Sequence, residues 1–140
     1  ATLTHDIDEV NSAWKHRIRI AFENKKYLNA TLNYLKHKFN PFYPWQNINE
    51  ILHLEKELEV SSTFFFLTNN NKVRKIKNAD YKLKDKYIKD IISTIKTTSS
   101  EIALHGSYKT HDNLHELKND ISLLNQKIKG NRFHFLQCWC

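Results

Sequence analysis

Asp6 and Asp8 are the first residues of this chain able to do chemistry. They lie in Thr4-His5-Asp6-Ile7-Asp8, and in an extended backbone residues two apart project to the same side. Two carboxylates on one side can hold a divalent cation, or divide into a base and a ligand. The simpler alternative is that Asp8 caps the segment that follows. His105 is the second candidate, just past the apolar run Ile102-Ala103-Leu104. A neutral imidazole there suits a transition metal, and it equally suits a satisfied structural role. His111 follows six residues on, in a loop. Arg132 and His134 form the third group, again two apart and so on one face, with Phe133 and Phe135 on the other. A buried arginine needs an acid, and Asp6 or Asp8 is the natural partner; an arginine on an exposed edge strand needs none.

These residues depend on the elements that carry them. Residues 1–7 read as a short strand and 12–38 as a helix, with Trp14, Ile18, Ala21, Leu28, Leu32, Leu35 and Phe39 recurring at steps of three and four, broken once at Lys25. Pro41 and Pro44 end that helix in an aromatic connector. A helix at about 47–58 begins with Asn47 as its cap. Residues 61–68, Ser-Ser-Thr-Phe-Phe-Phe-Leu-Thr, are apolar and β-branched without alternation, as in a strand buried on both faces of a parallel sheet. Residues 69–83 read as a polar, basic loop, 84–98 as a helix, 101–105 as a strand, 113–129 as an amphipathic helix ending at Gly130, and 131–136 as a fourth strand. The order β-α-α-β-α-β-α-β predicts βαβ units in an α/β fold. Four strands make about half of a barrel whose usual size is ~250 residues. In such folds reactive groups gather at the C-terminal strand ends, where the acids, the histidines and the arginine all fall.

The composition sets limits. The 140 residues include 22 Lys+Arg against 15 Asp+Glu, a formal net charge of +7, with 40% apolar and 26% charged residues. That is a folded composition, enough for one domain. No apolar run approaches the ~20 residues of a membrane span. Cys138 and Cys140, two apart, offer neither a disulfide framework nor a paired-cysteine zinc site. No signal-peptide pattern opens the chain, which mildly favours the cytoplasm. Both ends look cut, so residues 1–140 are expected to be the N-terminal portion of a longer catalytic domain.

Taken in order, Thr4-His5-Asp6-Ile7-Asp8, Ser62-Thr63-Phe64-Phe65-Phe66, Glu101-Ile102-Ala103-Leu104-His105-Gly106-Ser107-Tyr108 and Arg132-Phe133-His134-Phe135-Leu136 resemble the polysaccharide deacetylases. These are carbohydrate esterases with a NodB-type homology domain, and the likeness is to a bacterial subgroup opening on Thr-His-Asp-Val-Asp. The resemblance implies a distorted (β/α) barrel that removes acetyl groups from amino sugars with zinc or another divalent metal. By position it implies Asp6 as catalytic base, Asp8 and His105 as metal ligands, and Arg132 as the cation that pairs with the base. Ser107, Tyr108 and His134 fall to substrate binding, with a backbone N–H near Ser107 or Tyr108 for the oxyanion. The chain departs from the pattern in two places. Lys109 stands where a second histidine four after His105 is usual, leaving His111 to substitute through a longer loop, and Ile7 separates acids that are usually adjacent.

Two other readings compete. A scaffold relative that binds sugar without a metal is supported by Lys109 and by aromatic residues such as Phe42, Tyr43 and Trp45. A nucleic-acid-binding domain is suggested by Lys72, Arg74, Lys75, Lys77, Lys82, Lys84, Lys86 and Lys89. No binding motif accompanies that stretch, and a solvated basic face accounts for it as well. The expected partner is therefore a carbohydrate, not nucleic acid.

Overall fold

A computed structural model describes residues 3–39, 43–73, 76–108, 110 and 113–128. The elements run β1 (Leu3–Ile7), α1 (Ala13–Glu23), α2 (Tyr27–Phe39), α3 (Ile48–Glu57), β2 (Ser62–Phe66), β3 (Lys72–Val73), β4 (Ile76–Lys77), α4 (Lys86–Ile95), β5 (Glu101–Leu104) and α5 (Leu114–Ile128). Three of the strands form a parallel sheet in the order β1-β2-β5, with Asp6 opposite Phe65 and Phe66 opposite Leu104. The fold is thus mixed α/β with a three-stranded parallel sheet and five helices among the described residues. The expected fourth strand at 131–136, the end of the last helix at Gly130, and the candidates His111, Arg132 and His134 lie outside the described residues.

Every residue of the central strand, Ser62 to Phe66, is buried, as its unbroken apolar run requires. Phe64 and Phe66 join Ile88, Ile91, Ile92 and Ile95 of α4, Ile48 and Leu52 of α3 and Leu124 and Ile128 of α5 in one core. Asn47 occupies the N-terminal cap of α3, although its side chain makes no capping hydrogen bond.

Two expectations need correction. The helix expected over 12–38 is a pair, because Asn24, Lys25 and Lys26 turn the chain between α1 and α2. Lys25 takes φ 57°, and the turn is sealed as Lys26 N–H donates to Ala21 C=O at 2.8 Å and Lys25 N–H to Phe22 C=O at 2.9 Å. That bonding is the usual left-handed helix stop, filled here by lysine where glycine is preferred. Lys25→Gly is therefore expected to stabilise the protein by about 0.5–1 kcal/mol, since a Cβ is disfavoured at that φ. A higher urea midpoint with an unchanged slope checks this, and a lower one refutes it.

The second correction concerns 69–83, which is more than a basic loop. It contains the antiparallel pair β3–β4, and Ala79, Tyr81 and Leu83 enter the core at 0%, 1% and 7% exposure. Their two-residue spacing inside a polar stretch was the available signal. The pair α1–α2 behaves differently from the other helices. Its buried residues are alanines only, Ala13, Ala21 and Ala30, and none of its residues belongs to the main core. Among the described residues no helix is long and apolar enough to cross a membrane.

Candidate functional site

The strand ends bring three of the predicted residues together. Asp6 and Asp8 leave the end of β1, His105 leaves the end of β5, and β2 lies between them. The His105 Nε2 atom is 3.8 Å from Asp6 Oδ2 and 3.9 Å from Asp8 Oδ1. Strand alternation explains the grouping, because Asp6 and Asp8 share a side while His5 turns to the other. His5 instead stacks on Phe64 and reaches Glu55 at 2.8 Å.

The electrostatics of the trio are unusual. Asp8 Oδ1 is buried and has no hydrogen-bond partner among the described residues, so Asp8 does not act there as a cap. Burial pushes the Asp8 carboxyl above the usual aspartate range; His105 opposes the shift and the neighbouring Asp6 adds to it. His105 Nδ1 lies 3.2 Å from the Gly106 carbonyl. A carbonyl only accepts, so Nδ1 is the donor in this contact and Nε2 is left facing the two carboxylates. Gaps of 3.8 and 3.9 Å exceed hydrogen-bond reach, so a proton on Nε2 does not bridge them.

A divalent metal is the ion that the resemblance implies, and in kind these donors fit one: two carboxylate groups and an imidazole oriented through its other nitrogen. In spacing they stand slightly open, since bonds of ~2.1 Å at tetrahedral angles put neighbouring donors about 3.4 Å apart. Among the described residues no group of three or more His, Cys, Asp or Glu side chains closes into a metal-binding set.

The supporting residues were not anticipated. Asp80 accepts from the Val10 and Asn11 N–H groups at 2.8 and 2.7 Å and donates its own N–H to the Asp8 carbonyl. This fixes the chain immediately after Asp8. The Tyr81 hydroxyl donates to Ile7 C=O and accepts from Leu67 N–H, tying the ends of β1 and β2. Burial pushes this phenol well above its usual range. Asp120, buried in α5, accepts from Thr68 at 2.5 Å and from Ser107 at 2.8 Å, tying β2 to the turn after His105. Asp120 stands three after Leu117 and four before Leu124 on the apolar stripe of its helix, and an acid there was the signal for it. Glu55 stands likewise on the buried side of α3.

Ser107 and Tyr108 are largely committed to this scaffold. The Ser107 hydroxyl also accepts from Asn69 at 2.9 Å, and the Tyr108 N–H donates to Asn78 at 2.8 Å. Tyr108 is nevertheless 39% exposed as a residue. A cavity of about 380 Å³ runs along β1, lined by Asp6, Glu9, Trp45 and Asn47 among others. The site is therefore a pair of carboxylates and an oriented imidazole beside a partly aromatic cleft. No family model, curated protein or solved structure matches this chain.

Proposed function

We propose that the chain carries part of the active site of a polysaccharide deacetylase-like, metal-dependent hydrolase, which removes acetyl groups from an N-acetylated sugar or cell-surface glycan. The observation that carries this reading is the approach of His105 Nε2 to Asp6 and Asp8 across β2, with Nδ1 anchored on Gly106. Asp8 and His105 would hold the ion, preferably zinc. When bound, it would supply Lewis-acid polarisation of the acetyl carbonyl and lower the pKa of a water.

The chain's own residues do the rest. Asp6, 42% exposed at its side chain, takes the proton of the attacking water as the new C–O bond forms. The C–N bond then breaks, acetate departs, and that proton is available to the leaving amine. In the role that the resemblance gives it, Arg132 keeps Asp6 ionised. The cleft along β1 supports a sugar substrate, because Trp45 and Asp6 line the same cavity and an aromatic ring can pack on a sugar face.

Metal analysis tests the proposal. The purified chain, dialysed against zinc or cobalt, is expected to retain about one equivalent, and Asp8→Asn and His105→Ala are each expected to lose it. A folded chain that takes up no metal would sink the reading. Metal retained by both variants would show that the ligands lie elsewhere.

A further inference from the structure

The pair α1–α2 stands outside the core, and beside it lies a cavity of about 610 Å³ that the proposed chemistry does not use. Its walls include Trp14, Leu32, Leu35 and Phe39, and Arg17 and Lys36 line it as well. Three of these apolar side chains are left in water: Leu32 is 44% exposed, Leu35 40% and Phe39 78%. They continue a stripe begun by Leu28, with spacings of four, three and four that place all four on one side of α2. This stripe contributes nothing to the main core.

The charge around it is one-sided. Residues 13–39 contain Lys15, Arg17, Arg19, Lys25, Lys26, Lys36 and Lys38 against the single acid Glu23, which Arg19 already approaches at 3.6 Å. Neither Arg17 nor Lys36 forms an ion pair among the described residues. His37, also on the cavity wall, has a buried Nδ1 with no hydrogen-bond partner among them. A second copy of this basic surface would meet it with like charge, which opposes self-association through this face.

We infer that this cavity binds a monomeric single-chain amphiphile, with its alkyl chain along Leu32, Leu35 and Phe39 and its anionic headgroup at Arg17 and Lys36. The volume lies within the range of ligand sites, about 300–1,000 Å³. The apolar strip Leu32, Leu35 and Phe39 along one side of α2 suits an extended hydrocarbon tail. A flat aromatic anion such as a nucleotide is less well served, because the Trp14 ring is already stacked on His37 at 4.4 Å, with Lys15 Nζ 5.5 Å from its centroid.

Calorimetric titration of the full chain with dodecyl phosphate, kept below its micellar concentration, tests the assignment. Saturable binding is expected, weakened about tenfold or more in the double variant Arg17→Gln/Lys36→Gln and comparably in Leu35→Asn. These side chains are exposed, so unchanged circular dichroism and an unchanged Tm should confirm that the variants fold. An uncharged dodecyl ether should bind about tenfold more weakly than the phosphate, and inorganic phosphate alone should bind more weakly still. Inorganic phosphate binding as tightly as the amphiphile would reduce the site to a simple anion site and overturn the proposal. Binding only to phosphatidylglycerol vesicles, and not to the monomer, would assign the surface to a membrane instead. A dimer that blocks the titration would assign it to a second copy. Binding indifferent to all of the substitutions would also refute the proposal.

Discussion

Asp6→Asn is expected to lower acetate release from an N-acetylated oligosaccharide by about 10²–10⁴-fold, the usual worth of a positioned general base. The measurement needs the protein in its full catalytic length, with metal content and Tm recorded beside turnover. Asparagine keeps the shape of Asp6 and one acceptor oxygen, so substrate binding should survive and the loss should fall on kcat and not on KM. The contrast with Asp8 is the sharper part of the test. Asp8 has a buried oxygen with no hydrogen-bond partner among the described residues and a carboxyl raised first by burial, so a cation bound there would favour its ionised form. Asp8→Asn should therefore remove metal and activity together, whereas Asp6→Asn should remove activity and leave most of the metal in place. Undiminished turnover in Asp6→Asn would sink the role given to Asp6, and equal metal loss in both variants would merge the two roles into one.

The part of this site that could be read in advance is the part that local geometry dictates. Strand alternation puts Asp6 and Asp8 on one side, and the end of an apolar run marks His105; the two meet at 3.8 and 3.9 Å. The buried run Ser62–Phe66 and the isoleucine stripe of α4 were equally legible, because each is a period written into a few consecutive residues. The supports were not legible, because their partners are distant along the chain. Asp80 is about seventy residues from the amides it holds, Tyr81 is 74 from Ile7, and Asp120 is 52 from Thr68. Only the anomaly shows locally: an acid on an apolar stripe, or an alternation of apolar residues inside a basic stretch. It says that a partner exists without saying which. The turn at Lys25 showed only as a single break in the helical spacing, and its residue type did not mark it as a stop. With two glycines in the whole chain, a left-handed stop falls to a lysine that a helix accepts equally well.

Asp120→Ala is expected to be the most damaging single change outside the proposed catalytic residues. The Asp120 carboxylate oxygens receive the hydroxyls of Thr68 and Ser107, with Asn69 at 3.5 Å, and the residue is 4% exposed. Truncation would strand buried donors on two different loops and open a cavity beside Leu124. Together these should cost about 3–5 kcal/mol, or a Tm lower by about 10–20 °C. Asp120→Asn should cost about 1 kcal/mol, because the amide keeps one acceptor and a serine or threonine hydroxyl can rotate to accept from its NH₂. The two variants separate stability from function. Ser107 follows His105 by two residues, so a turn released from α5 lets the imidazole wander from Asp6 and Asp8. Well below its lowered Tm, Asp120→Ala should therefore still bind metal about 10–100-fold more weakly, the effect expected of a lost orienting partner, while Asp120→Asn should stay near the parent affinity. A Tm drop with metal affinity untouched would make Asp120 a purely structural clamp. No Tm drop at all would mean that the buried network linking Thr68, Ser107 and Asp120 does not hold the strand ends together.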